Sequence, residues 1–83
     1  MNRYNKLKLK ALSMFANAGN VWLKQREAAE RLNFWPTRSA WSYFKRLWRF
    51  GLLERRFFGK GTLEYRISEG GAARLRWLRS ERG

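Results

Sequence analysis

The first part of the chain carries apolar side chains at the spacing of an amphipathic helix. From Asn2 to Ala18 they recur every three or four positions, which places them along one helical stripe. The members of this stripe are Tyr4, Leu7, Ala11, Met14, Phe15 and Ala18. The pattern predicts a first helix over residues 2–18 that Gly19 ends. A second, narrower stripe lies about 100° or more away and consists of Leu9, Leu12 and Ala16.

Two short elements follow the first helix. Residues 21–23 form a β-prone run that is long enough only for a brief edge strand. Residues 25–33 then predict a short second helix, in which Ala28, Ala29 and Leu32 face inward. Its outward side chains are Arg26, Glu30 and Arg31.

A turn separates the second helix from the third. Pro36 cannot lie inside a helix and disfavours helical geometry at Trp35, so the chain must turn between residues 33 and 37. Thr37 then offers a capping hydroxyl for the next helix.

The third predicted helix, residues 38–50, has two contrasting faces. Its broad apolar face consists of Ala40, Trp41, Tyr43, Phe44, Leu47, Trp48 and Phe50. Its polar face is a strip about 60° wide that carries Arg38, Ser42, Lys45 and Arg49, with Ser39 and Arg46 at the edge. We expect the apolar face to enter the core, and Gly51 to end the helix.

Residues 53–67 predict a β-hairpin whose loop is Gly59, Lys60 and Gly61. If residue 58 faces residue 62, one face of the hairpin pairs Leu53 with Ile67, Arg55 with Tyr65, and Phe57 with Leu63. The other face pairs Glu54 with Arg66 and Arg56 with Glu64. Both of the latter pairs join opposite charges, which antiparallel strands reward, and this agreement selects the register.

The last segment predicts a helix that Ser68 caps. Its inner stripe is Ala72, Leu75 and Leu78. We therefore expect one domain over residues 1–83, with a core over about residues 4–79 and a frayed tail after residue 80.

Charge narrows the choice of partner. Nineteen Lys and Arg against six Glu give a net charge of +13, which favours a polyanion as the partner. The chain has no His, Cys or Asp, so imidazole or thiolate metal sites and most acid–base catalytic pairs are excluded. We expect no enzyme activity and no cofactor. The longest uncharged stretch, residues 11–23, is too short and too polar to span a bilayer, and we expect a cytoplasmic protein without a membrane partner.

The order of the predicted elements resembles the winged-helix domain, a helix-turn-helix followed by a β-hairpin wing. Ala29 followed by Asn33 resembles the helix-turn-helix signature of a small residue and a left-handed turn residue. The stretches that resemble the wing boundaries of bacterial MarR-like and PadR-like regulators are Leu47 with residues 51–55, and Tyr65, Ile67, Ser68 and Gly71. The turn at residues 33–37 is about one residue longer than in that pattern.

The resemblance implies an α+β fold of the winged helix-turn-helix type, with a three-helix core, a β-hairpin wing and a C-terminal helix. It also implies a DNA-binding transcriptional regulator that associates with double-stranded DNA in the cytoplasm or nucleoid. The alternative is a winged-helix module that binds RNA or mediates protein assembly, because one fold serves several functions.

Nine residues are predicted to contact nucleic acid. The third helix would enter the major groove, and the wing would lie on the backbone or in the minor groove. The predicted contact residues are Arg38, Ser39, Ser42, Lys45, Arg46, Arg49, Arg55, Arg56 and Lys60. The alternatives are an ordinary solvated helix face and an ordinary hairpin loop.

Two apolar groups leave their role open. Trp35, Trp41 and Trp48 either stack on unpaired bases or pack within the protein. A second group forms either a homodimer patch, as MarR-like and PadR-like proteins pair through terminal helices, or packing within one chain. Its members are Leu9, Leu12, Ala16, Ala73 and Trp77.

Overall fold

The computed structural model describes residues 3–34, 36–59 and 61–81. These residues form helices and one antiparallel sheet. The helices in these ranges are α1 (Arg3–Asn17), α2 (Gln25–Arg31), α3 (Thr37–Arg49) and α4 (Glu69–Glu81). The strands are β1 (Leu23–Lys24), β2 (Leu53–Phe58) and β3 (Thr62–Ile67). The α+β class predicted from the sequence is confirmed.

Some of the predictions fall outside the described residues. They concern Asn2 as the start of the first helix, Trp35 in the turn, and Lys60 in the hairpin loop. The predicted frayed tail lies partly outside them as well, since α4 continues to Glu81 and residues 82–83 are not described.

The turn between α2 and α3 follows the prediction at one end and departs from it at the other. Asn33 adopts a left-handed backbone with φ of 57°, as expected for this position. The helix α3 begins at Thr37 itself, and Pro36 occupies the N-cap position in extended conformation. The prediction that Thr37 caps this helix is therefore wrong, because that residue already lies in its first turn.

All four helices and the sheet contribute side chains to the core, and Phe44 of α3 lies in it. Phe44 is completely buried, and its ring makes an edge contact with Phe15 of α1 at a centroid distance of 5.5 Å. The ring of Tyr65 in β3 lies 5.7 Å from Phe44 on another side. Ala28 and Ala29 are also completely buried, so α2 approaches its neighbours closely. This packing fixes which face of α3 remains in solvent.

The first of the two apolar stripes of α1 is not buried along its whole length. Tyr4 is 76% exposed, whereas Leu12, assigned to the second stripe, is completely buried. The helix α4 packs against α1, so α1 has a neighbour besides the sheet and α2. The core-facing side of α1 is therefore shared by Ala11, Leu12 and Phe15.

The predicted dimer patch does not form one exposed surface. Leu12 is buried within the chain, and Leu9 and Ala16 pack partly against the core. Ala73 and Trp77 are exposed on α4. Leu12 therefore packs within one chain, as one of the two alternatives expected, and Leu9 and Ala16 do so in part.

The sheet has the strand order β1-β3-β2, and both pairings are antiparallel. The predicted hairpin register is confirmed at every pair from Leu53 with Ile67 to Phe58 with Thr62. The edge strand β1 begins later than predicted: it pairs Leu23 with Tyr65, while Val21 is exposed. Leu23 is the buried residue of this short run, and its burial determines which part pairs.

Ser68 joins the end of the hairpin to the corner after α3. Its hydroxyl donates to the carbonyl oxygen of Gly51 at 2.5 Å and accepts the backbone N–H of Gly71 at 2.9 Å, so the predicted cap is confirmed. The N–H of Ser68 also donates to the carbonyl of Leu52. The first turn of α4 therefore rests directly on the backbone of residues 51–52.

This close approach predicts that Gly71→Ala destabilises the protein, although Ala is the better helix former by about 1 kcal/mol. A Cβ at position 71 would overlap the carbonyl oxygen of Leu52, which is backbone and cannot move cheaply. We expect a loss of about 1–3 kcal/mol in the free energy of unfolding, measured by urea titration. Ala73→Gly, at an exposed position of the same helix, calibrates helix propensity alone. An unchanged or higher stability of Gly71→Ala would contradict this packing.

Candidate nucleic-acid interface

The exposed side of α3 is a continuous basic surface, here called the basic strip. Its members are Arg38, Ser39, Ser42, Lys45, Arg46 and Arg49. All six are exposed, as predicted, because Ala40, Phe44 and Leu47 hold the opposite side of the helix in the core. At 1.5 Å per residue, the four cations are spread over about 17 Å of helix.

The charge of the basic strip is not balanced within the protein. The sequence has no Glu between Arg31 and Glu54. Among the residues that the structure describes, ion pairs form at Glu27, Glu54 and Glu64, and each of them engages an arginine outside the strip. The strip is therefore free to attract the phosphates of a polyanion.

The two neighbouring arginines of strand β2, Arg55 and Arg56, lie on opposite faces of the sheet. The guanidinium carbon of Arg55 lies 3.5 Å from the ring centroid of Trp48, a cation–π contact that holds this side chain beside α3. Arg55 also lines a shallow hollow together with Ser42 and Lys45. The structure thus brings Arg55 to the basic strip and extends its positive surface onto the sheet.

Arg56 points to the other face, where opposite charges are paired. Its Nε donates to Oε1 of Glu64 at 2.8 Å, and Nε of Arg66 donates to Oε1 of Glu54 at 2.7 Å. The ring of Trp22 lies 4.5 Å and 4.4 Å from these two guanidinium groups. The structure does not bring Arg56 to the basic strip. The alternation of side chains along a strand was the signal that separates it from Arg55.

The tip of the hairpin is described on both sides of its loop. Gly59 and Gly61 have positive φ values of 48° and 78°, and the N–H of Thr62 donates to the carbonyl of Gly59. These conformations favour glycine and allow the close turn that the sequence predicted. Phe57 stands beside the loop and is 71% exposed.

The tryptophans of α3 are engaged within the protein. Trp48 is half-buried, packs against the core and carries Arg55 on its ring. Trp41 is half-buried at the hollow between α3 and the sheet. Their placement favours packing over base stacking for these two residues.

Phe50 is an aromatic residue beside the basic strip that the sequence prediction assigned to the core. It is 64% exposed and lies in a shallow hollow with Arg46 and Arg49. Its angular position on the helix, one turn after Arg46, was the signal for this location. Phe50 was assigned to the core because its side chain is apolar, in spite of this angular position.

Tyr43 borders the strip on its buried side. Burial raises the pKa of its hydroxyl from 10.0 to about 12, and the positive charge of Arg46 offsets part of that rise. The phenol is therefore neutral at physiological pH and adds no negative charge beside the strip.

Other kinds of site are not formed in the described ranges. Within residues 3–34, 36–59 and 61–81, no three acidic side chains converge in a way that would hold a metal ion. None of the helices in those ranges is long and apolar enough to cross a lipid bilayer.

The two arginines of β2 should differ in what they contribute to stability. Arg56→Ala removes the Arg56 partner from Glu64, a carboxylate that is only 6% exposed, and we expect a loss of about 1–3 kcal/mol in urea unfolding. Replacing both partners with apolar residues, Arg56→Met with Glu64→Leu, should recover most of this loss. Arg55→Ala should cost about 0.5–1 kcal/mol. A larger loss for Arg55→Ala than for Arg56→Ala would contradict this division.

The raised pKa of Tyr43 predicts that the protein loses stability at alkaline pH. Between pH 10 and pH 12 the folded protein keeps a proton on Tyr43 that the unfolded chain releases, so the free energy of unfolding falls as pH rises through this range. Tyr43→Phe should therefore lose less stability than the wild type between pH 9 and pH 11.5 in urea titrations. Tyr4→Phe, which changes an exposed tyrosine, is the control and should behave like the wild type.

The described part of the chain thus combines an unbalanced basic strip on α3 with Arg55 on the adjoining sheet and a charge-paired outer sheet face. No protein-family model, no curated protein and no solved structure matches the chain.

Proposed function

We propose that the chain is a winged-helix protein that binds double-stranded DNA and regulates transcription, with α3 in the major groove. The observation that carries this proposal is the basic strip: four cations that pair with no acidic side chain of the described residues stand on the solvent face of a helix whose other face is held in the core. An α-helix with its side chains is about 10–12 Å across, which suits a major groove about 12 Å wide.

The strip offers both kinds of contact that DNA recognition uses. Arg and Lys side chains can pair with the O6 and N7 atoms of guanine, and the hydroxyls of Ser39 and Ser42 can bind bases or phosphates. Arg55 extends the cationic surface toward the hairpin β2–β3, which takes the place of the wing. In this arrangement the hairpin reaches the backbone or the minor groove beside α3, where its loop glycines permit close approach.

The element order supports the winged-helix part of the proposal. The chain runs α1-β1-α2-α3-β2-β3-α4, with a left-handed Asn33 after α2 and with β1 paired to β3. The small buried residues Ala28 and Ala29 allow α2 and α3 to pack closely, as a helix-turn-helix needs.

A second candidate function is a winged-helix module that binds RNA or assembles with proteins. Exposed aromatic side chains at Tyr4, Phe57 and Trp77 favour this candidate, since such residues are enriched at interaction surfaces. A clear preference for structured RNA, or aromatic-dependent binding without affinity for duplex DNA, would support it over the first.

Variants of the basic strip test the proposed function. Lys45→Ala or Arg49→Ala should weaken duplex binding by about 1–3 kcal/mol for a base contact, with little change in melting temperature. For the wild type, neutralising about six phosphates predicts a log–log slope of roughly −5 between affinity and salt concentration. Fluorescence anisotropy with random duplex, single-stranded DNA and structured RNA at several salt concentrations measures both quantities.

Matched controls separate the strip from net charge and from folding. Arg74→Ala and Arg76→Ala remove the same charge from exposed positions of α4 and should leave affinity nearly unchanged. Phe44→Ala empties a core position and should cost about 2–5 kcal/mol of stability. A salt slope near zero, or equal losses from the α3 and α4 variants, would overturn the assignment of α3 as the binding element.

A further inference from the structure

A groove separates the beginning of α1 from the end of α3. The two helices meet deeper in the fold, where Phe15 contacts Phe44. Beyond this contact a groove of about 360 Å³ opens, with Leu7 and Leu47 among its lining side chains. Its volume lies at the lower end of the range of small-ligand pockets, about 300–1,000 Å³.

Aromatic side chains line this groove and remain accessible. Tyr4 from α1 and Phe50 after α3 are 76% and 64% exposed, and Tyr43 is half-buried beside them. The core does not cover the first two rings, although each could bury a large apolar area. Exposed aromatic rings beside an apolar groove form a surface on which a flat, unsaturated group can stack.

The groove carries positive charge. Of the described residues that line it, Lys8 and Arg46 are charged and none is acidic. A ligand with an aromatic ring and an adjacent negative charge would therefore satisfy both features. A nucleotide has this combination, since its base stacks on aromatic rings and its phosphate pairs with Lys and Arg.

The groove is continuous with the basic strip. Arg46 and Phe50 line the groove and also line the shallow hollow that contains Ser42, Lys45 and Arg49. A nucleic acid held on the strip would therefore extend past Phe50 to the groove. A second copy of the chain is a poorer occupant, because it would bring another net charge of +13 against this surface.

We propose that the groove between Tyr4 and Phe50 binds an unpaired nucleotide, by stacking its base on these rings and pairing its phosphate with Lys8 and Arg46. The inference rests on the proposed function in that the nucleotide belongs to the nucleic acid on α3. It adds a single-stranded contact to a duplex contact. The chain would thus prefer a duplex that carries an overhang or a bulge over a fully paired one.

The test compares a blunt DNA duplex with the same duplex carrying a three-nucleotide overhang at either end, labelled with 2-aminopurine in the overhang. Stacking of one base predicts about fivefold or tighter binding of one overhang duplex, together with quenching of 2-aminopurine fluorescence. Tyr4→Ala and Phe50→Ala should abolish both effects while leaving blunt-duplex affinity and the melting temperature unchanged. Phe50→Trp should retain them, and Trp77→Ala, an exposed aromatic on α4, is the matched control.

The outcomes separate this inference from the proposed function. Equal binding of blunt and overhang duplexes, or a preference that survives Phe50→Ala, overturns the groove assignment and leaves duplex binding intact. The protein could instead bind single-stranded DNA, quench its 2-aminopurine fluorescence through Phe50 and not bind the duplex. In that case the proposed function fails and the groove assignment is supported. The groove assignment is also overturned if the wild type shows no preference for overhangs and Phe50→Ala abolishes either binding of an acidic aromatic peptide or a dimer seen in sedimentation.

Discussion

The contact of Phe44 with Phe15 and Tyr65 orients the rest of the molecule. It ties the middle of α3 to α1 on one side and to the central strand β3 on another, so α3 cannot rotate about its axis. Once Phe44 is buried, the 3.6-residue period places Arg38, Lys45 and Arg49 in solvent. The position of the cationic groups is thus a consequence of apolar packing, and the same contact determines where a polyanion can approach.

The positive charge described here lies in two regions that differ in their ion pairing. On the outer face of the sheet, Arg56 and Arg66 are each paired with a Glu and stack against Trp22, so this face carries little net charge. On α3 no cation forms an ion pair with an acidic side chain of the described residues, and the mutual repulsion of these cations is reduced by solvent and by their spacing along the helix. A bound polyanion would relieve this repulsion.

Local chemistry explains why parts of the fold were predictable from the sequence. The hairpin register follows from two pairs of opposite charges that only one alignment brings together, and the left-handed Asn33 follows from its residue type after a helix. The extent of burial on α1 was not predictable, because α1 packs against α4, which begins more than fifty residues later in the chain. The exposure of Tyr4 and Phe50 was not predictable either. The helical period identifies the apolar face of a helix, but it does not show how far along that face the packed neighbouring elements extend. In the candidate site, the exposed face of α3 was predictable from the helical period, and alternation along β2 separates Arg55 from Arg56. The sequence does not show that the Arg55 face lies beside α3, because that depends on the position of Trp48.

The hydrogen bond between Ser68 and Gly51 closes the base of the hairpin across 17 residues of sequence. Both strands leave and return at one fixed point, and the pairs nearest to it, among them Arg55 with Tyr65, lie against the helical core, so only the tip beyond them extends away from it. Adding two residues to each strand would carry the loop about 7 Å farther out while every existing pair kept its face. Adding one residue to a single strand would instead turn the paired charges toward α3 and the apolar residues toward solvent. Matched steps of two residues at the tip therefore change the reach of the hairpin while Leu53 and Tyr65 keep their places in the core.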